Sequence, residues 1–278
     1  METDAAYDHC DGLVRELDRD RYWSALFAPA DKRPHLFALY GFSAEVARVR
    51  DAISEPMPGE IRLQWWRDAI EGTARGDVSA HPVAAALLAT IERFRLPRQA
   101  FLDLIDARVF DLYDDPMPSV ADLEGYLGET SSALIRLASL VLADGADPGG
   151  AEAAGHAGIA YGLTGLLRTL PWHARRGQLY LPRDVLERSG VTRDDVVLGR
   201  GGPGVVSAVG ELADLARRHV TEAKRAIPAV ARPAFLPLAL VPGDLRALER
   251  HANPLQPAPE PPAWIRIASL WWASKRGV

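Results

Sequence analysis

The spacing of apolar residues most constrains what this chain can fold into. They recur in steps of three and four almost from end to end, the signature of helices with one buried face. After Asp31, read as an N-cap, Leu36, Leu39, Tyr40, Ser43, Val46, Val49 and Ile53 fall on one stripe. Pro56 and Pro58 are expected to end that helix. Gly59 precedes a second one carrying Ile61, Trp65, Trp66, Ala69, Ile70 and Thr73. The same periodicity predicts helices over 82–94, 97–113, 119–142, 151–170, 205–231 and 234–251, with Pro171 stopping the fourth of these. Turns are expected at 144–150 and 199–204, an extended stretch at 179–182, and a proline-rich segment at 253–262 before a last short helix. No alternating run of strand type and no fixed repeat interrupts the pattern. The reading is all-α: one helical domain over 1–252, followed by a proline-rich segment and an aromatic, basic helix over 253–278.

Composition narrows the function. Apolar residues make up 48% of the 278 and charged residues 25%, enough to build a sizeable core. The net charge of −5, with no Lys/Arg block interleaved with aromatics, argues against a nucleic-acid partner. The single cysteine, Cys10, excludes an internal disulfide and a thiolate zinc site and is expected to be a half-buried apolar filler. The amino end is acidic and polar, and no run of about 18 uncharged apolar residues occurs. The expected location is cytoplasmic, with any membrane contact peripheral, at the inner membrane surface.

Three segments carry a resemblance: FALYGFSAEVARVRDAISEPMPGEIRLQWWRDAIEG (Phe37 to Gly72), LIDARVFDLYDDP (Leu104 to Pro116) and GIAYGLTGLLRTLPWHARRGQLYLPRDVL (Gly158 to Leu186). In order and content they resemble the squalene/phytoene synthase family, over roughly residues 15 to 250. The resemblance implies an isoprenoid-synthase helical bundle around a central cavity. In active members two aspartate motifs face each other across that cavity, each with acids at i and i+4, one turn apart on a helix face. They hold Mg²⁺, which neutralises a diphosphate leaving group. Here the first motif reads Ala47-Arg48-Val49-Arg50-Asp51 and the second Thr169-Leu170-Pro171-Trp172-His173. Of the four outer acids only Asp51 remains; Ala47, Thr169 and His173 replace the others, and Gly165 stands where the enzymes usually carry Asn. Neither a catalytic set nor a metal site is assigned, and no cofactor is expected. Mg²⁺ enters only if other acids stand in. Asp51 with Glu55, and Asp111 with Asp115, are read as solvated helix ends; Asp103 with Asp106 is read as a polar or salt-bridged face.

What is retained matters as well. Arg168, Arg175, Arg176, Gly177, Tyr180, Leu181 and Pro182 match the family's LR…RRGxxYLP pattern, which in enzymes lines the diphosphate end of the cavity. With Arg48, Arg50 and His173 they suggest direct, metal-free anion binding through guanidinium groups. The competing reading pairs these arginines with Glu45, Asp51 and Asp68. The ligand-binding candidates are Tyr40, Glu45, Arg48, Asp51, Gln64, Arg168, His173, Arg176 and Tyr180.

The altered motifs also resemble one branch, proteins related to a mitochondrial respiratory complex I assembly factor. Phe42-Ser43-Ala44-Glu45-Val46-Ala47-Arg48-Val49-Arg50-Asp51 with Ile53-Ser54-Glu55, Leu167 to His173, and YLGETSSALIRLA (Tyr126 to Ala138) carry that likeness. It implies a pseudoenzyme acting in complex I assembly or in isoprenoid binding, with a prenyl diphosphate, a membrane surface or a respiratory complex as partner. An apolar tunnel with Ala47, Thr169 and His173 at its mouth is the expected geometry. Two alternatives stay open: an active head-to-head prenyltransferase of isoprenoid biosynthesis, and a structural helical partner with a filled cavity. Trp65 and Trp66 point about 100° apart on a helix and are read as core or tunnel packing. Trp264, Trp271 and Trp272, beside Arg266, Lys275 and Arg276, suit either a membrane interface or docking.

Overall fold

A computed structural model describes residues 2–53 and 55–278; Ser54 of the first motif lies outside the described residues. The described residues hold fifteen α-helices and no strand, arranged as one bundle. In order these are α1 (Glu2–Leu17), α2 (Arg19–Ala25), α3 (Arg33–Ala47), α4 (Pro56–Glu71), α5 (Pro82–Phe94), α6 (Arg98–Val109), α7 (Val120–Leu127) and α8 (Ala133–Leu142). There follow α9 (Ala151–Arg175), α10 (Arg183–Arg188), α11 (Arg193–Val197), α12 (Pro203–Ala223), α13 (Arg232–Phe235), α14 (Val241–Arg250) and α15 (Ala263–Arg276).

The acidic amino end forms an amphipathic helix. Ala6, Cys10 and Val14, four residues apart, bury one stripe of α1 against α3 and α5. Cys10 is fully buried rather than half-buried, and burial, aided by the charge of Glu45, pushes its thiol up to about 12. Helix α3 is central: Leu36, Phe37, Leu39, Tyr40, Phe42 and Val46 are all buried. Phe42 meets both Trp66 of α4 and Phe101 of α6 edge-on, at ring distances of 5.1 and 5.6 Å. Burying such a ring is worth about 1.5–3 kcal/mol.

The sequence reading needs five corrections. Helix α3 stops at Ala47, and Val49–Ala52 continue as a 3₁₀ turn. Pro56 opens α4 instead of ending a helix, because a first-turn position requires no N–H. The predicted helix over 119–142 contains a π turn at Gly128–Ser132 between α7 and α8. That turn lies against α9 at Gly158 and Gly162, where an added Cβ would come within 2.3 Å of Ser132 and 2.5 Å of Ser131. The predicted helix over 234–251 is divided by a 3₁₀ turn at Leu236–Leu240.

The fifth correction concerns the second motif. Pro171 does not break α9, which runs through it to Arg175. Proline forfeits one intrahelical hydrogen bond, but Leu170, Pro171 and Ala174 are buried on both sides of it. The end is then fixed by a Schellman cap: Gln178 N–H donates to His173 O, Gly177 N–H donates to Ala174 O, and Gly177 has φ +78.

Helix α15 packs on the 236–240 turn and on α2. It buries Arg266, Leu270 and Ala273, at steps of four and three, and leaves Trp264, Trp271 and Trp272 at least half exposed.

Candidate functional site

The two motif segments meet through charge. Asp51 sits in the 3₁₀ turn after α3, and Arg176 caps α9; Arg176 Nη1 donates to Asp51 Oδ1 at 2.5 Å. Arg48 Nε lies 3.8 Å from the other Asp51 oxygen, and the Arg176 guanidinium stacks over Trp172 at 4.2 Å. Of the substituted positions, Thr169 returns its hydroxyl to Gly165 O at 2.8 Å, and His173 Nδ1 meets Gln178 Oε1 at 3.3 Å. Burial lowers the His173 pKa, keeping the ring neutral. Mg²⁺ takes oxygen ligands, with carboxylates of the protein holding it beside water and substrate phosphate. One carboxylate already hydrogen-bonded to Arg176, with Arg48 3.8 Å from its other oxygen, a methyl, a committed hydroxyl and an imidazole do not fit that ion. The described residues contain no cluster of three or more potential ligands.

The expected common tunnel mouth is not found at these positions. Thr169 borders a cleft of about 260 Å³ covered by the proline-rich segment at Pro257–Pro261. His173 borders a void of about 10 Å³ with Leu170, Tyr180 and Leu212. Between α3 and α9 sits Arg21 of α2, its guanidinium 4.9 Å from the Tyr161 ring and 5.8 Å from the Tyr40 ring, paired with Asp18 at 2.7 Å. Tyr40, a ligand candidate from the sequence, is therefore buried against a cation of the chain itself.

The other arginines are also committed. Arg50 pairs with Asp114 at 3.3 Å. Arg168 reaches Asp244 at 3.3 Å and Glu260 at 3.2 Å. Asp244 and Asp20 in turn accept from buried Arg266 at 2.6 Å and 2.8 Å, which ties α15 to α14 and α2. Gln64 faces away and donates to Asp68. The pairing reading holds for Asp51, which Arg176 and Arg48 approach as expected, whereas Arg50 and Arg168 pair with Asp114, Asp244 and Glu260 rather than with Glu45 or Asp68.

Asp111, expected to be solvated, is buried. Its carboxylate accepts from Tyr126 Oη at 2.8 Å, Tyr180 Oη at 2.7 Å and Arg108 Nη1 at 3.0 Å. Gln178 Nε2 donates to its backbone carbonyl at 2.8 Å. Burial raises both tyrosine pKa values, so the phenols stay as donors. Asp103 and Asp106 lie on α6 as the polar or salt-bridged face expected, Asp103 accepting from Gln99 Nε2 at 2.7 Å and Asp106 pairing with Arg67 at 2.7 Å.

Glu45, Arg48 and Asp51 do come together. They line a cleft of about 580 Å³ with Leu13, Leu17, Arg62, Trp65, Trp66 and His81. His81 Nε2 lies 3.5 Å from Glu45 Oε2. Trp65, Trp66 and His81 pack into one aromatic wall, with ring distances of 5.0 to 5.3 Å. Burial pushes the Glu45 carboxyl up to about 7 and lowers the His81 pKa. Sequence reasoning missed Arg62, which lies within the first quoted segment but away from its aspartate motif, and His81, which stands outside the segments. Only the Pro at 82, which makes His81 the N-cap of α5, marks that position.

The squalene/phytoene synthase family model matches residues 14–264. The chain belongs to the squalene/phytoene synthase family. Within it, the chain is 33% identical over 245 residues to the rat protein named NADH dehydrogenase (ubiquinone) complex I, assembly factor 6, covering 87% of this chain and 73% of that one. It is 31% identical to the presqualene diphosphate synthase of Sinorhizobium fredii, covering 80% and 78%. Among solved structures, the squalene synthase HpnC of Alicyclobacillus acidocaldarius superposes with a TM-score of 0.74 at 25% identity, over 90% of this chain and 95% of that one. A ligand-bound dehydrosqualene synthase superposes at 0.82 and 19% identity, over 99% and 97%, and so shares the fold. The squalene/phytoene synthase bundle is thus kept over nearly the whole chain.

Proposed function

We propose that this family member has given up prenyl transfer and serves as an assembly-type factor for a respiratory complex, in the manner its assembly factor 6 relatives' name describes. The observation that carries the reading is the Arg176–Asp51 ion pair. The last acid of the two motifs neutralises a guanidinium of the opposite motif, where an active enzyme would offer it to metal. The likeness in sequence to assembly factors across most of the chain supports the same reading. The location follows as a membrane surface reached without a spanning helix. Helix α15 has no acidic residue and presents Trp264, Trp271 and Trp272 outward beside Lys275 and Arg276, which suits an anionic bilayer interface.

Incubation with farnesyl and geranylgeranyl diphosphates, with Mg²⁺ or Mn²⁺, is expected to yield no head-to-head product. Formation of presqualene diphosphate, squalene or phytoene would overturn the proposal. Deleting the gene in its host is expected to lower the amount of assembled NADH dehydrogenase complex, measured on native gels.

A further inference from the structure

The Glu45 cleft holds chemistry that an assembly role alone does not use. The register of its two long walls can be read from two contacts. Phe42 of α3 meets Trp66 of α4, and Ile53 after α3 lies against Gly59 at the start of α4. The chain therefore runs in opposite directions along the two walls. Glu45 is joined to Trp65 and Trp66 through His81, which lies 3.5 Å from Glu45 and packs on both indoles. About one turn further along each wall, in the same direction, stand Arg48 and Arg62, which line the same cleft. One end of the cleft is a carboxylate beside two indoles and an imidazole; the other carries two guanidinium groups. The ends are one helical turn apart, about 5 Å.

Neither a simple anion nor a simple cation satisfies both ends. Glu45 would repel an anion, and the guanidinium pair would repel a cation. Among the described residues the polar contact of the Glu45 carboxylate is His81 at 3.5 Å, and that imidazole is held neutral by burial. Arg48 lies 3.8 Å from Asp51, beyond hydrogen-bond distance, Asp51 is shared with Arg176, and among the described residues Arg62 makes no ion pair. Both ends thus have charge to spare.

We propose that this cleft binds a zwitterionic phospho-amine, an ammonium joined by a two-carbon linker to a phosphate ester. The ammonium sits against Glu45 and the face of the indole wall, where carboxylate and cation–π attraction add. The phosphate is held by Arg48 and Arg62, whose planar forks match its oxygens. The linker spans about the one turn that separates the two ends. Leu13 and Leu17 of α1 complete an apolar side wall, and the volume of about 580 Å³ falls within the usual range for small-molecule sites. The same head chemistry occurs in soluble glycerophospho-amines and in zwitterionic phospholipids.

The test is calorimetric titration of the full chain with glycerophosphoethanolamine, glycerophosphocholine, ethanolamine, inorganic phosphate and dihexanoyl phosphatidylethanolamine below its micelle threshold. The zwitterions are expected to bind at least tenfold tighter than ethanolamine or phosphate. A dihexanoyl lipid that binds tenfold tighter than its glycerol counterpart assigns the site to lipid; the reverse assigns it to the soluble ester. Glu45→Gln and Arg62→Ala, one at each end, should each weaken binding at least tenfold while leaving the circular dichroism spectrum unchanged. The groups facing Glu45 are Cys10 of α1, Arg62 of α4, His81 before α5, and Arg48 and Asp51 on its own side; His9 of α1 lies beside His81. The phosphodiester does not titrate near neutrality, so affinity for glycerophosphoethanolamine should rise between pH 6 and pH 8 as Glu45 loses its proton. Inorganic phosphate binding as tightly as the zwitterions, or no zwitterion binding at millimolar concentration, would overturn the proposal. Neither result bears on complex assembly, so the two readings fail separately.

Discussion

Asp111 and Glu45 are both acids withdrawn from bulk water, and they have opposite surroundings. Asp111 accepts from two tyrosines and an arginine drawn from three separate stretches of the chain. Glu45 meets one neutral imidazole at 3.5 Å across an open cleft. The first arrangement is closed, its lone pairs spent on the protein itself. The second leaves a carboxylate short of a partner, and burial raises its pKa. The contrast separates acids that hold the bundle together from an acid that can receive something.

The largest test of that contrast is Asp111→Ala. It strands Arg108 and two phenol donors in the interior, and a loss of about 3–5 kcal/mol is expected in urea denaturation. A loss under 1 kcal/mol would show that the knot is dispensable. Arg266→Ala opens the second closed knot, leaving Asp20 and Asp244 with Arg168 alone; about 2–4 kcal/mol should be lost. Limited proteolysis should then cut the 253–262 segment first.

Glu45→Gln should act in the other direction, and its sign depends on pH. The folded carboxyl keeps its proton to about 7, while the unfolded one releases it near 4.5. Stability from this group is therefore full below about pH 4.5 and falls as pH rises through 7. The glutamine variant has no charge to desolvate. It should match the parent near pH 4.5 and exceed it by about 1–2 kcal/mol at pH 8, a figure reduced for the water in the cleft. Thermal melts at the two pH values measure the difference. Arg176→Ala should change least, by about 0–1 kcal/mol, because its pair with Asp51 is partly exposed. A larger loss in the same urea titrations would make the ion pair a structural lock.

The site was only partly legible in the sequence. The loss of acids at Ala47, Thr169 and His173 could be read directly, because motif order and i,i+4 spacing are one-dimensional. Asp111 was misread as a solvated helix end because Pro116 follows closely; its burial depends on Tyr126 and Tyr180, 15 and 69 residues away. Arg21 gave no signal at all. It lies in a charged run, and only the packing of α2 between α3 and α9 turns it into the filler between Tyr40 and Tyr161. Pro171 shows a local rule overridden: burial of Leu170, Pro171 and Ala174 outweighs the cost of the missing hydrogen bond, and α9 continues through it.

The sequence alone determined the class of fold, most helix positions and the family, since each is written in local periodicity or contiguous motifs. Tertiary structure decided which charges are spent and which are free. Arg168 and Arg176 look alike in sequence, yet one is tied into a knot with the carboxy-terminal helix and the other closes the motif gap. Glu45 looks like any helix-end acid until Trp65, Trp66 and His81 surround it. Electrostatic role depends on the distances and desolvation that only the folded chain sets.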